Sequence, residues 1–360
     1  MLGCFRPATD GEFEQVVALR RAVFAGAPQW DDDAYLRWRY DFSNDESPVA
    51  NRFWIFKRED KVLGGVGMER VSLVVDGGVM TAHKGMDVLV DPAIDGKGLG
   101  AWMNLALMER YPVIVVVGSN QNSHKMLTRL YRELPGLQVW KLPISVRGTL
   151  KRRFRVGPLA TPLAIPVDLA LKLRRESKRV RSSGGFELQE LTSVPDDVDS
   201  YSKSATQGSL LVDRTAEYLT WRFMENPRRD YRILGLYEEG ELVGFSVYRL
   251  YRSVENDQTE AGILDWFTRE GLRLPAGEKP KYGLILLQET VEYLVQQGAC
   301  MIRVSASDEY SRNVLGRLEF RRREEGSSFF VFFSHPELRH SLLDRESWFL
   351  TEGDEDTDGF

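Results

Sequence analysis

The sequence predicts an α/β (α+β) fold built from two successive copies of one unit, each a mixed sheet with helices on its faces. Three observations lead there. The chain has 360 residues, too long for one ordinary hydrophobic core and suited to two domains of typical size. Short segments recur at a nearly constant offset along it. Within each half, strand-like and helix-like patterns alternate in the same order, as they do when helices cover a sheet.

The repeat is read directly from the residues. Tyr35-Leu36-Arg37-Trp38-Arg39-Tyr40 recurs 183 positions on as Tyr218-Leu219-Thr220-Trp221-Arg222-Phe223. Each copy is followed by a strand, a polar turn and a second strand that opens with a small hydrophobe and glycine, Leu63-Gly64 and Val243-Gly244. Such patterns are hairpin signals. A second match closes each half: Asn120, Ser123, Met126, Leu127, Arg129 and Leu130 correspond to Asp308, Ser311, Val314, Leu315, Arg317 and Leu318, now 188 positions on. The boundaries follow: a first domain over 1–147, a basic linker over 148–184, a second domain over 185–345 and an acidic, disordered tail over 346–360.

Composition narrows the function classes. Cys4 and Cys300 stand far apart without CxxC spacing, and His83, His124, His335 and His340 form no metal-ligand pattern, so neither a disulfide framework nor a metal site is expected. The start of the chain lacks the basic and apolar regions of a secretory signal. The longest apolar runs, Pro112 to Val117 and Phe329 to Phe333, have strand length and cannot span a membrane. A cytoplasmic protein is expected. The net charge of −5 conceals an asymmetry: residues 141–185 carry +10 and the rest of the chain −15.

The sharpest local feature runs from Met86 to Gly100. An apolar strand meets Pro92, a turn with Asp95-Gly96-Lys97-Gly98-Leu99-Gly100 follows, and a helix begins with Leu99, Met103, Ala106 and Leu107 on its apolar side. The first amides of a helix have no intrahelical acceptor and carry the positive end of its dipole. Glycines let the backbone approach an anion, and Lys97 adds a charge, so the turn suits a phosphate. It is not an ATP-binding P-loop, because no Lys-Ser or Lys-Thr pair follows the glycines. A dinucleotide loop is closer, since Gly96-x-Gly98-x-x-Ala101 fits its degenerate form. That loop, however, wants an acid about 20 residues on, and residues 115–120 contain none.

The segment resembles motif A of the GNAT superfamily of N-acetyltransferases. The apolar strand Val113 to Val117, leading into Asn120-x-x-Ser123 and a helix, resembles motif B. The resemblance implies two tandem GNAT-like domains, each a mixed, mostly antiparallel twisted sheet flanked by helices. It further implies an acyl-CoA-dependent N-acyltransferase, with acetyl-CoA the first choice of donor, in which an amine attacks the thioester directly. The resemblance implies that the two parallel central strands splay apart around the pantetheine, with amides around Val88, Leu89 and Val90 facing it and the acyl carbonyl. Those of Asp95, Gly96, Lys97, Gly98, Leu99 and Gly100 would face the pyrophosphate, Asn120 would lie near the thiol end, and Ser123 would also belong to the cofactor site. The chain departs from the family in two places. Asp95 stands where Arg or Gln is usual, and the tyrosine that often acts as general acid is displaced, leaving Tyr131 as its off-pattern candidate. Asp87, in the strand lining the acyl site, is the candidate general base, on the expectation that an apolar cleft raises its pKa. Asp265 occupies a similar place in the second repeat and is expected to contact the substrate.

The second repeat has no Gly-rich loop after Asp265, although a helix from Leu284 to Gln297 and a strand near Met301 to Val304 keep the scaffold. The division of labour expected is a cofactor in the first domain and an acceptor site shaped by the second. Trp38 and Trp221 read either as core residues or as a substrate wall, with Arg39 or Arg222 contacting an acidic acceptor. In the linker, Pro158, Pro162 and Pro166 predict extended or broken chain, then a basic helix from Val167 to Arg181 whose apolar face includes Val167, Ala170, Leu171 and Val180. That helix reads as a solvated bridge between acidic domains, or as a contact with an anionic membrane surface or nucleic acid; no aromatic interleaving supports the last. Three functional readings remain open: acylation of a small-molecule amine from acyl-CoA, a non-catalytic GNAT-like scaffold, and acyl transfer from aminoacyl-tRNA or acyl carrier protein.

Overall fold

The computed structural model describes residues 4–25, 33–43, 50–75, 78–94, 98–147, 150, 160–180, 185–204, 210–228, 230–254, 257–270, 280–343 and 348–355. The first repeat begins with β1 (Cys4–Pro7), α1 (Phe13–Val23) and α2 (Asp33–Arg39). It continues through β2 (Arg52–Arg58), β3 (Lys61–Val75), β4 (Gly78–Val90), α3 (Leu99–Arg110), β5 (Val113–Val117), α4 (Gln121–Leu130), β6 (Arg132–Leu134) and β7 (Gln138–Pro143). Helix α5 (Ala160–Lys178) follows. The second repeat has β8 (Phe186–Glu190), α6 (Asp199–Ser204), β9 (Leu210–Val212) and α7 (Ala216–Leu219), which runs on into a π turn over Thr220–Met224. Then come β10 (Arg232–Glu238), β11 (Glu241–Arg252), β12 (Thr259–Thr268), α8 (Tyr282–Gln296), β13 (Met301–Ala306), α9 (Glu309–Arg317), β14 (Arg321–Gly326), β15 (Phe329–Phe333) and α10 (Arg339–Leu343).

The duplication extends to backbone detail. In each hairpin the turn contains a glutamate in the left-handed region, Glu59 and Glu239, both at φ 53°. Each hairpin carries a register shift just before its turn, at Phe56/Lys57 and Leu236/Tyr237. The helices after the parallel strands are capped alike. Asn120 accepts from the Ser123 amide at 2.9 Å, and Asp308 from the Ser311 amide at 2.8 Å. A capping side chain satisfies an amide the helix cannot, which is why these positions survive in both copies.

The two sheets have the orders β1-β2-β3-β4-β5-β15-β6, with β9 against β3, and β14-β7-β13-β12-β11-β10-β8. Only β4–β5 and β12–β13 are parallel among the described pairs, so both sheets are mixed and mostly antiparallel, as expected. Each repeat gives its last strand to the other's sheet. β7 pairs antiparallel with β13, and β15 pairs antiparallel with β5, Phe329 opposite Val117 through Phe333 opposite Val113. The two longest apolar runs of the chain therefore lie side by side, where a strand buried on both faces needs continuous hydrophobicity. The chain segments cross at glycines. A Cβ on Gly136 would stand 1.7 Å from the Ser327 carbonyl oxygen, and one on Gly326 2.4 Å from that of Leu137.

The duplicated Tyr-Leu-x-Trp-Arg segments meet at the junction of the repeats. Trp38 and Trp221 stack with ring centroids 5.0 Å apart, and the Trp38 indole donates to the Trp221 carbonyl at 3.2 Å. Beneath them Glu69 of β3 is fully buried between Lys84 (2.6 Å) and Arg39 (2.8 Å). Burial pushes the Glu69 carboxyl up, but Lys84, Arg39 and Arg222 outweigh it and hold it down at about 2.

Two sequence expectations are corrected. The linker helix begins at Ala160 and contains Pro162 and Pro166; Pro162 sits in the first turn, where an amide would have no intrahelical acceptor to lose. Pro158 lies outside the described residues. Val167 and Val180 are exposed rather than on an inner face, and the helix packs inward through Ala164, Asp168, Leu171 and Arg175 instead. The tail is ordered over its described part, 348–355, and buried throughout. Its charges are not solvated: Asp354 pairs with Arg214 at 2.7 Å, and Glu352 accepts from Ser305 Oγ at 3.0 Å. No helix among the described residues is long and apolar enough to cross a membrane.

Candidate functional site

The parallel strands β4 and β5 pair at only two positions, His83 with Ile114 and Lys84 with Val115. β4 continues to Val90 and β5 to Val117, so beyond Lys84 the strands part and leave a wedge in the sheet. Asp87 drives this local shape. It lies in the left-handed region at φ 49° within a bulge opposite β3, and bulges bend a strand and re-aim its side chains. The wedge holds a cavity of about 380 Å³ lined by Phe24, Gly85, Met86, Asp87, Val88, Asn104, Val116, Gly118, Ser119, Asn120, Ser123, Leu127, Ser327 and Glu355.

At the mouth of the wedge stands the N-terminus of α3. Gly98 caps it in the left-handed region at φ 81°, and a Cβ there would meet nothing within 4 Å. The amide of Trp102 is the first to bond back, to the Gly98 carbonyl, which leaves the earlier amides of the turn without intrahelical acceptors. Gly100 faces Val88, Val90 and Met126. Leu99 turns its side chain into the core, as Leu89 does on the other side of the sheet. Asp95, Gly96 and Lys97 lie outside the described residues.

The ionisable groups are arranged differently from the sequence expectation. Asp87 is bound by Arg20 at 2.7 Å and by the Tyr40 hydroxyl at 3.0 Å. Burial pushes its pKa up, but the charges of Arg20 and Arg39 and these two hydrogen bonds outweigh burial and leave it below the ordinary value. The raised pKa expected of a base in an apolar cleft is therefore corrected: Asp87 is a fixed negative charge in the cavity wall. Tyr131 does not line the cavity. Its hydroxyl donates to Asn104 Oδ1 at 2.7 Å, and the Asn104 amide donates to the Gly100 carbonyl at 2.9 Å. The Tyr131 hydroxyl thus braces Asn104, and burial raises its pKa. Asn120 and Ser123 do line the cavity, with their side chains engaged in the cap of α4. Trp38 and Arg39 lie at the repeat junction, not in this wedge, and line a separate cavity with Arg37 and Asp41; the Arg39 guanidinium is paired with buried Glu69.

The residue the sequence did not offer is Glu355, from the C-terminal segment. Its carboxylate accepts from Ser327 Oγ, its carbonyl accepts from Arg222 at 3.1 Å, and it lines the same cavity as Asp87. The signal for it was the apolar triplet Trp348-Phe349-Leu350, which marks a packed segment inside the acidic tail.

The second repeat repeats the wedge and closes it. β12 and β13 pair from Ala261 with Ile302 to Ile263 with Val304, then part. The C-terminal segment fills the opening. Thr351 bridges to Ala306, its hydroxyl donates to Asp265 at 3.1 Å, and Gly353 packs on Asp265. Asp265 is fully buried and also bound to Arg214 at 3.2 Å. Burial raises its pKa, opposed by Arg214 and reinforced by Asp354. The expectation that Asp265 contacts substrate is corrected on this geometry: no ligand reaches it without displacing the chain's own end.

No family model and no curated protein matches the sequence. Solved structures do match the fold. A GCN5-related N-acetyltransferase from Anabaena variabilis aligns at TM-score 0.61 and 12% identity, covering 92% of this chain and 73% of that one. A probable N-acyltransferase from Enterococcus faecalis aligns at TM-score 0.60 and 9% identity, covering 92% and 72%. Saccharomyces cerevisiae N-myristoyltransferase with bound myristoyl-CoA aligns at TM-score 0.56 and 10% identity, covering 92% and 82%. At these identities the likeness is one of fold: this chain has the architecture of GNAT acyltransferases over most of its length.

Proposed function

We propose that the chain is an acyl-CoA-dependent N-acyltransferase that holds its donor in the wedge of the first repeat. The observation that carries this reading is the parting of β4 from β5 over a cavity beside the first turn of α3, where Gly100 faces Val88 of the cavity wall. The fit is chemical as well as geometric. The β5-facing edge of β4 from Gly85 onward has no strand partner among the described residues, and its free main-chain groups suit the amides of a pantetheine arm. The helix N-terminus suits a diphosphate. Acetyl-CoA is the first donor to test, and solved neighbours that bind myristoyl-CoA make longer acyl chains the second.

In the reaction proposed, the acceptor amine nitrogen attacks the thioester carbonyl, the C–N bond forms, the C–S bond breaks, and the thiol leaves with a proton. Asp87, its charge balanced by Arg20, shapes the wall beside the reacting atoms. Glu355 takes one proton from the acceptor ammonium, which frees the amine to attack, and the second proton, lost as the amide forms, goes to the departing thiolate. The second repeat supplies wall residues, Ser327 and Glu355, rather than a second donor site.

Calorimetry with acetyl-CoA and longer acyl-CoAs tests the donor site on wild type and on Val88→Trp, which fills the wedge. Thiol release with a panel of amines then tests turnover. Binding lost in the variant, with thiol release that depends on an amine, supports the proposal. No binding by wild type, or equal binding by both proteins, rejects it; binding without release leaves a non-catalytic scaffold as the better account.

A further inference from the structure

Helix α5 is inverted relative to an ordinary surface helix. Its inward positions are Ala164, Asp168, Leu171 and Arg175. Asp168 accepts from Ser145 Oγ at 2.7 Å and from the Val146 amide at 2.8 Å, and Arg175 reaches Glu292 at 3.5 Å. The outward positions are apolar: Leu163 is 53% exposed, Ile165 61%, Val167 43%, Leu169 55% and Leu173 55%. These are half of the ten strongly exposed large hydrophobics among the described residues, gathered on one helix. Pro162 and Pro166 extend the same face. A helix normally turns its apolar stripe to the core, and contiguous exposed apolar surface marks an interaction site.

The charges say what covers it. Glu176 is the one acid among the exposed positions of α5, and it is paired with Lys172 at 3.8 Å. Lys172, Arg174 and Lys178 stand at the C-terminal end of the apolar face, and residues 141–185 as a whole carry +10. Arg174, Arg175 and Arg179 are engaged with Glu319, Glu292 and Glu289, which fastens the helix to the second repeat with its apolar face outward. An apolar stripe edged by cations in a basic segment is the composition of a helix that lies in a bilayer interface. A second copy of this acidic chain would bring its own +10 segment against this one across a shared axis, like charge against like.

We infer that α5 docks the protein flat on an anionic lipid surface, with Leu163, Ile165, Leu169 and Leu173 in the acyl boundary and Lys172 and Lys178 among the headgroups. The inference is independent of the donor site. It is tested by co-sedimentation of the full chain with vesicles of phosphatidylcholine alone and of phosphatidylcholine mixed with phosphatidylglycerol. The variants are Leu169→Glu with Leu173→Glu, and separately Leu169→Ser with Leu173→Ser, all at exposed positions, with folding checked by thermal melting. Wild type is expected to sediment with the phosphatidylglycerol vesicles, and each removed leucine is expected to weaken binding by about tenfold or more. Three results overturn the inference: no sedimentation of wild type, equal sedimentation of the serine pair, or a dimer in light scattering that the serine pair dissolves.

Discussion

Phe349→Ala tests whether the C-terminal segment is part of the core. Phe349 is fully buried. Its ring lies 5.4 Å from that of Phe267 and 6.2 Å from that of Trp266, with the Arg214 guanidinium 5.4 Å from its centroid. Those neighbours belong to β12 and to the loop before α7, so the ring joins the chain's end to the mouth of the second wedge. Truncating a fully buried Phe loses its transfer free energy and leaves a cavity, at a cost of about 3–5 kcal/mol. That is a large share of the roughly 5–15 kcal/mol typical of a folded domain. Urea unfolding followed by tryptophan fluorescence reads the change directly as a shift in midpoint at constant slope. A disordered tail predicts a change within about 0.5 kcal/mol, as for any exposed site. A loss below about 1 kcal/mol would refute the reasoning that the tail seals the second repeat.

Glu69→Gln leaves Lys84 and Arg39 buried without their counter-charge, and a loss of about 3–5 kcal/mol is expected by denaturation. The Glu69 carboxyl is held below its unfolded value, so its contribution is present above pH 4.5 and lost as pH falls towards about 2; the variant should lack that part of the acid loss, and an unchanged profile would contradict it. Gly136→Val sets a Cβ 1.7 Å from a backbone oxygen that cannot swing aside, so thermal melting should show a loss above the roughly 1–3 kcal/mol of ordinary overpacking, whereas a neutral result would mean the chain segments do not cross there. Glu355→Gln is expected to lower kcat for the amine, while acyl-CoA affinity by calorimetry stays unchanged; an unchanged kcat would remove Glu355 from the reaction. Because each sheet contains a strand of the other repeat, both halves should unfold in one calorimetric transition, and two separated transitions would argue against the exchange.

Much of this was legible in the residues. The paired hairpins, the capped helices after Asn120 and Asp308 and the Gly98 turn are local chemistry, set by residues a few positions apart. The wedge was implied by resemblance and needed coordinates to locate, because where two strands stop pairing depends on a bulge at Asp87. Strand exchange was not readable at all: Val113 to Val117 and Phe329 to Phe333 announce buried strands but not which neighbour each will choose. The state of Asp87 was missed because its partners, Arg20 and Tyr40, come from helices and loops packed on the sheet from elsewhere in the chain. The tail misled for a related reason. Glu352 and Asp354 look solvated until Ser305 and Arg214 are brought beside them, although the apolar triplet at 348–350 was a signal that could have been weighed.

The central claim is that one wedge is open to a donor and the other is filled by the chain's own end. A crystal structure of the protein with bound acyl-CoA tests it most directly. The expected result is one molecule per chain, its pantetheine between β4 and β5 and its diphosphate at the first turn of α3, with residues 351–355 still lodged between β12 and β13. A donor found between β12 and β13, or bound at a surface outside both wedges, would contradict the account.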